Sequence, residues 1–229
     1  MSVAVKSGQV IAAQSGAAST TLSATLPAAP TAGNLLVFFM AGDKNTGALT
    51  LSGFTQAREL LGTSVSLYVY YKVSDGTETT INPSWATSSA AGNTAYYLEL
   101  EDTAVAGKSW EVAGTAETAY SDLTVNSRSS NTTAALKKAA LAFGQWAIDS
   151  SVSWTSGSTY TNSYASQYEA TGFGGRGAIF IAKLAVAGGA TTESTFGYTG
   201  TADQVSGGVV AFAKVQVPRT SPYPQILAQ

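Results

Sequence analysis

The first and second halves of the chain contain similar stretches in the same order, and this approximate repeat constrains the fold more than any other feature. LLVFFMAGD at Leu35 to Asp43 matches LAFGQWAID at Leu141 to Asp149, and both are apolar runs that end in aspartate. Lys72 in YKV then matches Lys183 in AKL. A repeat of this length predicts two similar units of about 100 residues each.

Two further matches extend the repeat. GFT at Gly53 to Thr55 resembles SWT at Ser153 to Thr155, and TAYYLELE at Thr94 to Glu101 resembles GGVVAFAK at Gly207 to Lys214. The order is preserved and the spacing drifts, which loop insertions explain.

Short runs rich in Val, Tyr, Phe, Thr and Leu are separated by clusters of Gly, Ser, Asn and Asp, a pattern typical of strands joined by turns. The chain is therefore predicted to be all-β. The clearest strands are Leu35 to Ala41, Phe54 to Leu61, Ser64 to Val73, Thr94 to Glu101, Ala139 to Ala147, Ala178 to Val186 and Gly208 to Val215. Thr133 to Ala147 is rich in strong helix formers, but the repeat favours a strand at Leu141 to Ala147.

Alternation along Ser64 to Val73 predicts one core face and one partly solvated face. The first face carries Val65, Leu67, Val69 and Tyr71, and the second carries Ser64, Ser66, Tyr68, Tyr70 and Lys72.

The segment between the halves, Asp102 to Asn131, contains no proline and has strand-like pieces such as Asp122 to Ser127, so it is not a flexible hinge. This favours a single two-sheet antiparallel β-sandwich of jelly-roll type over residues 1–217, in which half-repeats at roughly 20–101 and 123–215 contribute strands to both sheets. A pair of separate immunoglobulin-like domains is the alternative.

The last twelve residues, 218–229, read as an extended arm. Pro218, Pro222 and Pro224 exclude a central strand. One interpretation is a disordered tail. The other is an arm that docks on a neighbouring subunit through Tyr223, Ile226 and Leu227.

Composition limits the partners. The net charge of -2 provides no basic surface for nucleic acid. No apolar run is long enough to span a bilayer, and the first residues lack the apolar region of a signal peptide, so synthesis in a cytoplasm without export by that route is expected. The absence of cysteine excludes disulfides and thiolate metal sites.

Catalysis has little support in the sequence. Without histidine or cysteine, no triad of the Ser-His-Asp or Cys-His kind can form. Glu99, Glu101 and Asp102 are close together, as a glycosidase pair would require, but Glu99 and Glu101 share one strand face, and a solvated outer face explains them. The prediction is no catalytic residue and no cofactor.

Three aspartates at predicted strand ends, Asp43, Asp75 and Asp149, have the oxygen ligands that calcium prefers. Asx turns explain them more simply, so no metal site is predicted. The glycine-rich stretch Gly172 to Gly177 lacks the following helix of a phosphate-binding loop and is interpreted as a hairpin loop.

Aromatic residues provide the candidate ligand site. Trp154, Tyr160, Tyr164 and Tyr168 lie in a segment otherwise made of small and hydroxyl-bearing residues, and such rings can stack on sugar faces. Alternation along strands would instead place about half of them in the core, and Trp85 and Trp154 are expected to be core residues.

The stretches APTAGNLLVFFMAG, GFT, SLYVYYKV, TETTINPSW and AYYLELE together resemble a group of β-sandwich proteins among bacteriophage structural genes, especially tail-associated and particle-surface components. The resemblance covers most of residues 27 to 214, and its motifs are structural. The chain has GF where GW is common in that group, and the C-terminal arm lies outside the pattern.

The resemblance implies a non-enzymatic virion structural protein, synthesised in the host cytoplasm and assembled with other virion proteins and with copies of itself. The competing hypothesis is a carbohydrate-binding module that recognises a host surface polysaccharide through Trp154 to Tyr168. Neither nucleic acid nor a membrane is expected as a partner.

Overall fold

The computed structural model describes residues 3–6, 11–15, 19–43, 48–62, 65–89, 93–102, 108–120, 127–149, 155–160, 162–170, 176–199 and 204–216. All of its regular elements are β-strands. The first half contains β1 (Val3–Val5), β2 (Ile11–Ser15), β3 (Ser19–Thr21), β4 (Ala24–Thr25), β5 (Leu35–Asp43), β6 (Leu49–Thr50), β7 (Thr55–Leu61), β8 (Val65–Val73), β9 (Thr80–Ile81), β10 (Ser84–Ser89) and β11 (Asn93–Asp102). The second half contains β12 (Lys108–Tyr120), β13 (Ser127–Ser129), β14 (Ala140–Asp149), β15 (Thr155–Tyr160), β16 (Ala165–Ala170), β17 (Arg176–Val186), β18 (Thr195–Thr199) and β19 (Gln204–Gln216).

The all-β, antiparallel sandwich prediction is confirmed, and the seven predicted strands all occur. The strand β14 shows how tertiary context decides local structure. Its sequence and the residues before it favour a helix by propensity alone, yet β14 is the central strand of its sheet because it pairs with β17 on one side and β19 on the other. Its side chains from Leu141 to Ile148 are all buried.

Each half contains a large inner sheet and a small outer sheet. The inner sheets have the orders β1-β11-β5-β8-β7, with β2 also pairing with β11, and β12-β19-β14-β17-β16. The outer sheets have the orders β3-β10-β6 and β13-β18-β15, and β4 pairs with β9 in a further small sheet. β2, β4 and β9 have no counterpart among the described strands of the second half. When the other strands are matched in chain order, the two halves have the same pairing scheme.

The described pairings correct the expectation that the halves contribute strands to both sheets. Every sheet draws its strands from one half alone. The halves are instead joined by the packing of one inner sheet on the other, which we call the central interface. The layers therefore run outer sheet, inner sheet, inner sheet, outer sheet.

The central interface is a shared apolar core with side chains from both halves, including Val37 and Phe39 from the first and Phe143 and Phe212 from the second. The Phe39 and Phe143 ring centroids are 5.7 Å apart. Fully burying such side chains contributes about 1.5–3 kcal/mol each. Equivalent strands contact each other reciprocally, since β5 packs on β17 and β8 packs on β14, as two like units related by an approximate two-fold rotation would do.

A second core lies between the inner and outer sheets of each half. In the first half it contains Phe38, Met40 and Trp85, and in the second half Trp146, Phe180 and Phe196 are packed together. Trp85 is thus a core residue as predicted. Because an outer sheet covers the inner sheet, both faces of its central strands are buried.

This layering overturns the prediction of a partly solvated face on Ser64 to Val73. Ser66, Tyr68 and Tyr70 are as buried as the residues on the opposite face. The hydroxyl of Tyr70 donates a hydrogen bond to the carbonyl oxygen of Leu49 in β6, at 2.6 Å. Alternation correctly gives the two faces, but it does not reveal that a second layer covers the more polar one.

Strand pairing also corrects two of the sequence matches. Leu36 pairs with Lys72, and in the second half the residue after Leu141, Ala142, pairs with Leu184. Lys72 is therefore equivalent to Leu184 and not to Lys183, and a one-residue shift in a strand places the side chain on the opposite face.

The match of GFT with SWT is wrong for a related reason. Thr55 begins β7 and Ala165 begins β16, and these strands occupy the same edge position in their sheets. Gly53 and Phe54 are therefore equivalent to Ser163 and Tyr164. Thr155 begins β15, which lies in the outer sheet.

Candidate functional site

A surface groove with a volume of about 360 Å³ lies on the outer side of the second half. Three segments build it: the residues before β14, the turn between β15 and β16, and the end of β17 with the loop that follows. Its lining is mostly polar and consists of Thr132, Asn162, Leu184, Thr191, Thr192 and Glu193.

The carboxylate of Glu193 is held in place by hydrogen bonds from two different segments. One oxygen accepts from the Oγ1 hydroxyl of Thr132 at 3.0 Å, and the other accepts from the Nδ2 amide of Asn162 at 3.2 Å. Each carboxylate oxygen has a further lone pair available. The groove therefore presents a fixed acceptor group next to threonine hydroxyls.

The turn at the groove has an unusual backbone. Asn162 and Ser163 both have left-handed conformations, with φ of 60° and 64°. Asparagine adopts this conformation more readily than most residues, but it is unfavourable for serine. The equivalent turn of the first half has Gly53 with φ of 78°, and glycine has no such penalty. The second half therefore holds a strained turn where the first half has a relaxed one.

Tyr164 anchors this turn to the core. Its side chain is buried, and its hydroxyl lies 2.9 Å from the Oγ1 atom of Thr192, which lines the groove. The backbone amide of Thr192 in turn donates to Thr133 Oγ1 at 3.1 Å. Burial raises the pKa of Tyr164 to about 12, so the hydroxyl stays protonated and available for hydrogen bonding at neutral pH.

The corresponding place in the first half is occupied by an ion pair. Lys72, the equivalent of Leu184, lies 2.8 Å from a carboxylate oxygen of Glu78 and 3.5 Å from one of Asp75. Its Cδ atom lies 4.0 Å from the position that a Cβ atom would take on Gly53. The hydrogen bond with Glu78 raises the pKa of Lys72.

The structure does not bring the predicted aromatic residues together on one surface. Tyr160 is partly buried and packs against Phe196 between the sheets of the second half, with 5.6 Å between ring centroids. Tyr168 lies in the central interface, stacked on Tyr96 at 4.2 Å. Trp154 is outside the described residues, as is the whole of the predicted arm, 218–229. The faces of the described rings are engaged by protein contacts.

Glu99 is not on a solvated face, which corrects the prediction. Its side chain is fully buried, and its carboxylate lies 3.3 Å from Lys6 Nζ and accepts from the backbone amide of Thr31 at 2.9 Å and from the Asn34 amide. These bonds fix the loop before β5. Glu101 is only partly buried, and the contacts of Glu99 are those of a structural anchor.

Asp75 forms the predicted turn. Its Oδ1 atom accepts hydrogen bonds from the backbone amide of Thr77 at 2.9 Å and from the Thr77 hydroxyl at 2.5 Å, which is an Asx turn. The side chains of Asp43 and Asp149, and the loop at 171–175, are outside the described part of the chain. Within the described residues, no group of three or more acidic, histidine or cysteine side chains is arranged to hold a metal ion.

One residue that the sequence did not identify, Arg58, crosses the central interface. Arg58 of β7 is buried and donates to the carbonyl oxygen of Gly207 at 2.8 Å. With the Gln145 amide oriented to satisfy its neighbours, the side-chain oxygen accepts from Arg58 at 2.5 Å and the nitrogen donates to Phe143 O at 2.7 Å. Nothing in TQARELL marks Arg58 as buried, because the strand also carries Thr55, Gln56 and Glu59, which are exposed or half-buried.

Comparison of this chain with family models, curated proteins and solved structures finds no match. Over the residues that the structure describes, there is no helix of the length and apolarity needed to cross a membrane.

Proposed function

We propose that this chain is a non-enzymatic structural component of a bacteriophage virion, associated with the tail or exposed on the capsid surface. The observation that supports the proposal is the strand order shared by both halves. In the second half the first strand pairs with the last, the last with the third and the third with the sixth, while the second, seventh and fourth form the other sheet. The first half has the same order once β2, β4 and β9 are set aside. This order resembles a jelly roll, an architecture used by viral capsid and lectin domains.

The way the halves pack also supports a structural role. The central interface is largely apolar, with the aromatic rings of Phe39, Phe143 and Phe212 at its centre. A buried apolar interface with closely packed side chains resists relative motion of the two halves. A rigid block with two similar ends is suited to holding fixed contacts with neighbouring subunits in a particle.

The alternative function, recognition of a host polysaccharide through Trp154 to Tyr168, needs exposed rings. Tyr164 is buried, and Tyr160 and Tyr168 pack within the protein. These contacts favour the structural proposal over sugar recognition through this set of rings.

The proposal is tested first on particles. Mass spectrometry of purified phage particles from the system that encodes this chain is expected to detect it at a fixed stoichiometry to the major capsid protein. Absence from purified particles that contain every other structural protein would overturn the proposal.

The predicted arm is tested separately in solution. Light scattering over a range of concentrations compares the full chain with a chain that ends at Val217, and the full chain is expected to form oligomers that the shortened chain does not. A full-length variant with Tyr223, Ile226 and Leu227 changed to serine is the matched control, since it retains the prolines and the length. Equal masses for all three proteins would exclude the arm as an assembly element.

A further inference from the structure

We infer that the groove lined by Thr132, Leu184, Thr191 and Glu193 binds a neutral saccharide. The inference does not depend on the virion proposal, and it concerns a different surface from the aromatic rings considered above. It begins from the difference between the two halves at this position.

The two halves differ in the side chain at one position beside the groove. In the first half, Lys72 packs near Gly53 and pairs with Glu78 at 2.8 Å. In the second half the equivalent residue is Leu184, which lines the groove and has no charged end. The groove is therefore lined by an apolar side chain where the first half has an ion pair.

The chemistry of the lining favours a ligand with many hydroxyl groups. Thr132 and Thr191 are exposed. The Thr191 hydroxyl can donate and accept, and the Thr132 hydroxyl, whose proton bonds to Glu193, can accept. Glu193 provides acceptor oxygens, and Leu184 provides an apolar surface for a C–H face of a sugar ring. A volume of about 360 Å³ is within the range of small-molecule sites.

The carboxylate decides between classes of ligand. An anionic ligand such as a phosphate or an acidic sugar would be repelled by Glu193, because the described lining contains no cationic side chain. A peptide would need deeper apolar pockets for its side chains than Leu184 alone supplies. A neutral sugar needs neither a counter-charge nor a deep pocket.

The groove is also held in a fixed shape before any ligand binds. Glu193 is fixed by Thr132 and Asn162, and Thr192 is fixed by Tyr164. Preorganised polar groups lower the entropy cost of binding. Ser163, between Asn162 and Tyr164, has a left-handed backbone, and such unfavourable conformations are concentrated at functional sites.

The test uses the full chain with maltotriose, cellotriose and tri-N-acetylchitotriose as probes, measured by saturation-transfer NMR and titration calorimetry. We expect saturable binding of at least one trisaccharide with a Kd of about 1 mM, as a few solvent-exposed hydrogen bonds and one apolar contact provide. Failure of all three sugars to bind at about ten times that concentration would overturn the inference.

Two variants connect binding to the groove. Leu184→Lys places in the second half the residue that fills this position in the first half, and it is expected to weaken binding by about tenfold or more. Thr191→Val removes one hydroxyl with little change in volume and is expected to weaken binding several-fold, because a net hydrogen bond contributes about 1 kcal/mol.

The matched control is Lys72→Leu, the reciprocal change in the first half, which should leave the affinity for sugar unchanged. Thermal unfolding of each variant establishes that it is folded. Sugar binding that persists unchanged in Leu184→Lys would place the site elsewhere and overturn the inference, whatever the outcome of the particle and oligomer experiments.

Discussion

Two equivalent positions in the central interface are filled in opposite ways. Arg58 and Tyr168 each follow the irregular step in an edge strand, opposite Val69 and Ile181 respectively. Each reaches into the other half of the molecule. Arg58 is a buried cation that bonds to polar groups, whereas Tyr168 is an aromatic ring stacked on Tyr96.

The residues around Arg58 and around Tyr168 differ between the two halves in a way that suits each side chain. Tyr96 pairs with Phe39 in the first half, and the equivalent pair in the second half is Gly208 with Gln145. A Cβ atom on Gly208 would overlap the guanidinium nitrogens of Arg58. One end of the interface therefore has three aromatic rings, and the other has a glycine, an amide and a cation.

This difference shows that strand order and side-chain chemistry are specified separately. The same backbone arrangement accepts either solution, provided that the partners change together. The two solutions differ in what happens when one partner is lost, because an unmatched buried polar group costs more than a lost apolar contact of similar size. The predictions below test this difference.

Arg58→Ala should have the largest effect. It leaves the carbonyl of Gly207 and the side chain of Gln145 buried without their donor, and it removes the packing of the arginine stem. We expect a loss of about 3 kcal/mol in the free energy of unfolding, measured by chemical denaturation. Arg58→Lys should recover part of this loss, and a loss below about 1 kcal/mol in Arg58→Ala would refute the anchoring role.

Tyr168→Ala should have a smaller effect. The ring is only partly buried, and its removal eliminates the stack on Tyr96. We expect a loss of about 2 kcal/mol. Tyr168→Phe retains the stack and should recover most of this loss. If Tyr168→Ala proved more damaging than Arg58→Ala, the proposed difference between the two ends would be reversed.

The two ends should also differ in their response to pH. Burial raises the pKa of Tyr96 to about 12 from its ordinary value of 10, whereas arginine does not titrate in this range. The unfolded chain therefore loses the Tyr96 proton before the folded chain does. The contribution to stability is complete below pH 10 and is lost as the pH rises to about 12, by about 1–2 kcal/mol.

Denaturation at several pH values between 9 and 12 measures this slope. Tyr68 and Tyr164 also have pKa values raised to about 12, so the comparison is between the unaltered chain and Tyr96→Phe. The variant should lose stability less steeply with pH. Parallel curves for the two proteins would show that Tyr96 ionises equally in the folded and unfolded states.

The sequence predicted the strands well, because strand and turn signals are local and period-two alternation is strong in segments such as β8 and β11. It also predicted β14 correctly, although only the repeat outweighed the helix-forming residues there. The sequence did not predict which strand faces are buried beneath another layer of the protein. The alternation of Glu99 with Leu98 and Leu100 gives the same pattern whether the second face meets solvent or another part of the protein.

The site was harder to predict than the fold. One residue that lines the groove, Leu184, is equivalent to Lys72 in the first half, and the sequence match of Lys72 with Lys183 concealed this difference by one residue. Tyr160, Tyr164 and Tyr168 lie in or next to strands of the second half, but the sequence does not show which face of each strand is covered by another part of the protein. Arg58 and Gly208 are 150 residues apart in sequence. They come into contact only when the two halves pack together.

The equivalent turns at Gly53 and Ser163 extend the comparison beyond the interface and give the smallest expected effect. Ser163 has a left-handed backbone where glycine is favoured, so Ser163→Gly should stabilise the protein by about 1 kcal/mol. The reciprocal change Gly53→Ser should destabilise it by a similar amount. No atom lies nearer than 4.0 Å to a Cβ built on Gly53, so backbone strain and not steric overlap would be responsible. If Ser163→Gly raises the free energy of unfolding but weakens binding of the trisaccharide, the strained turn contributes to the groove. If it raises both the free energy of unfolding and the affinity for the trisaccharide, the strain contributes to neither stability nor binding.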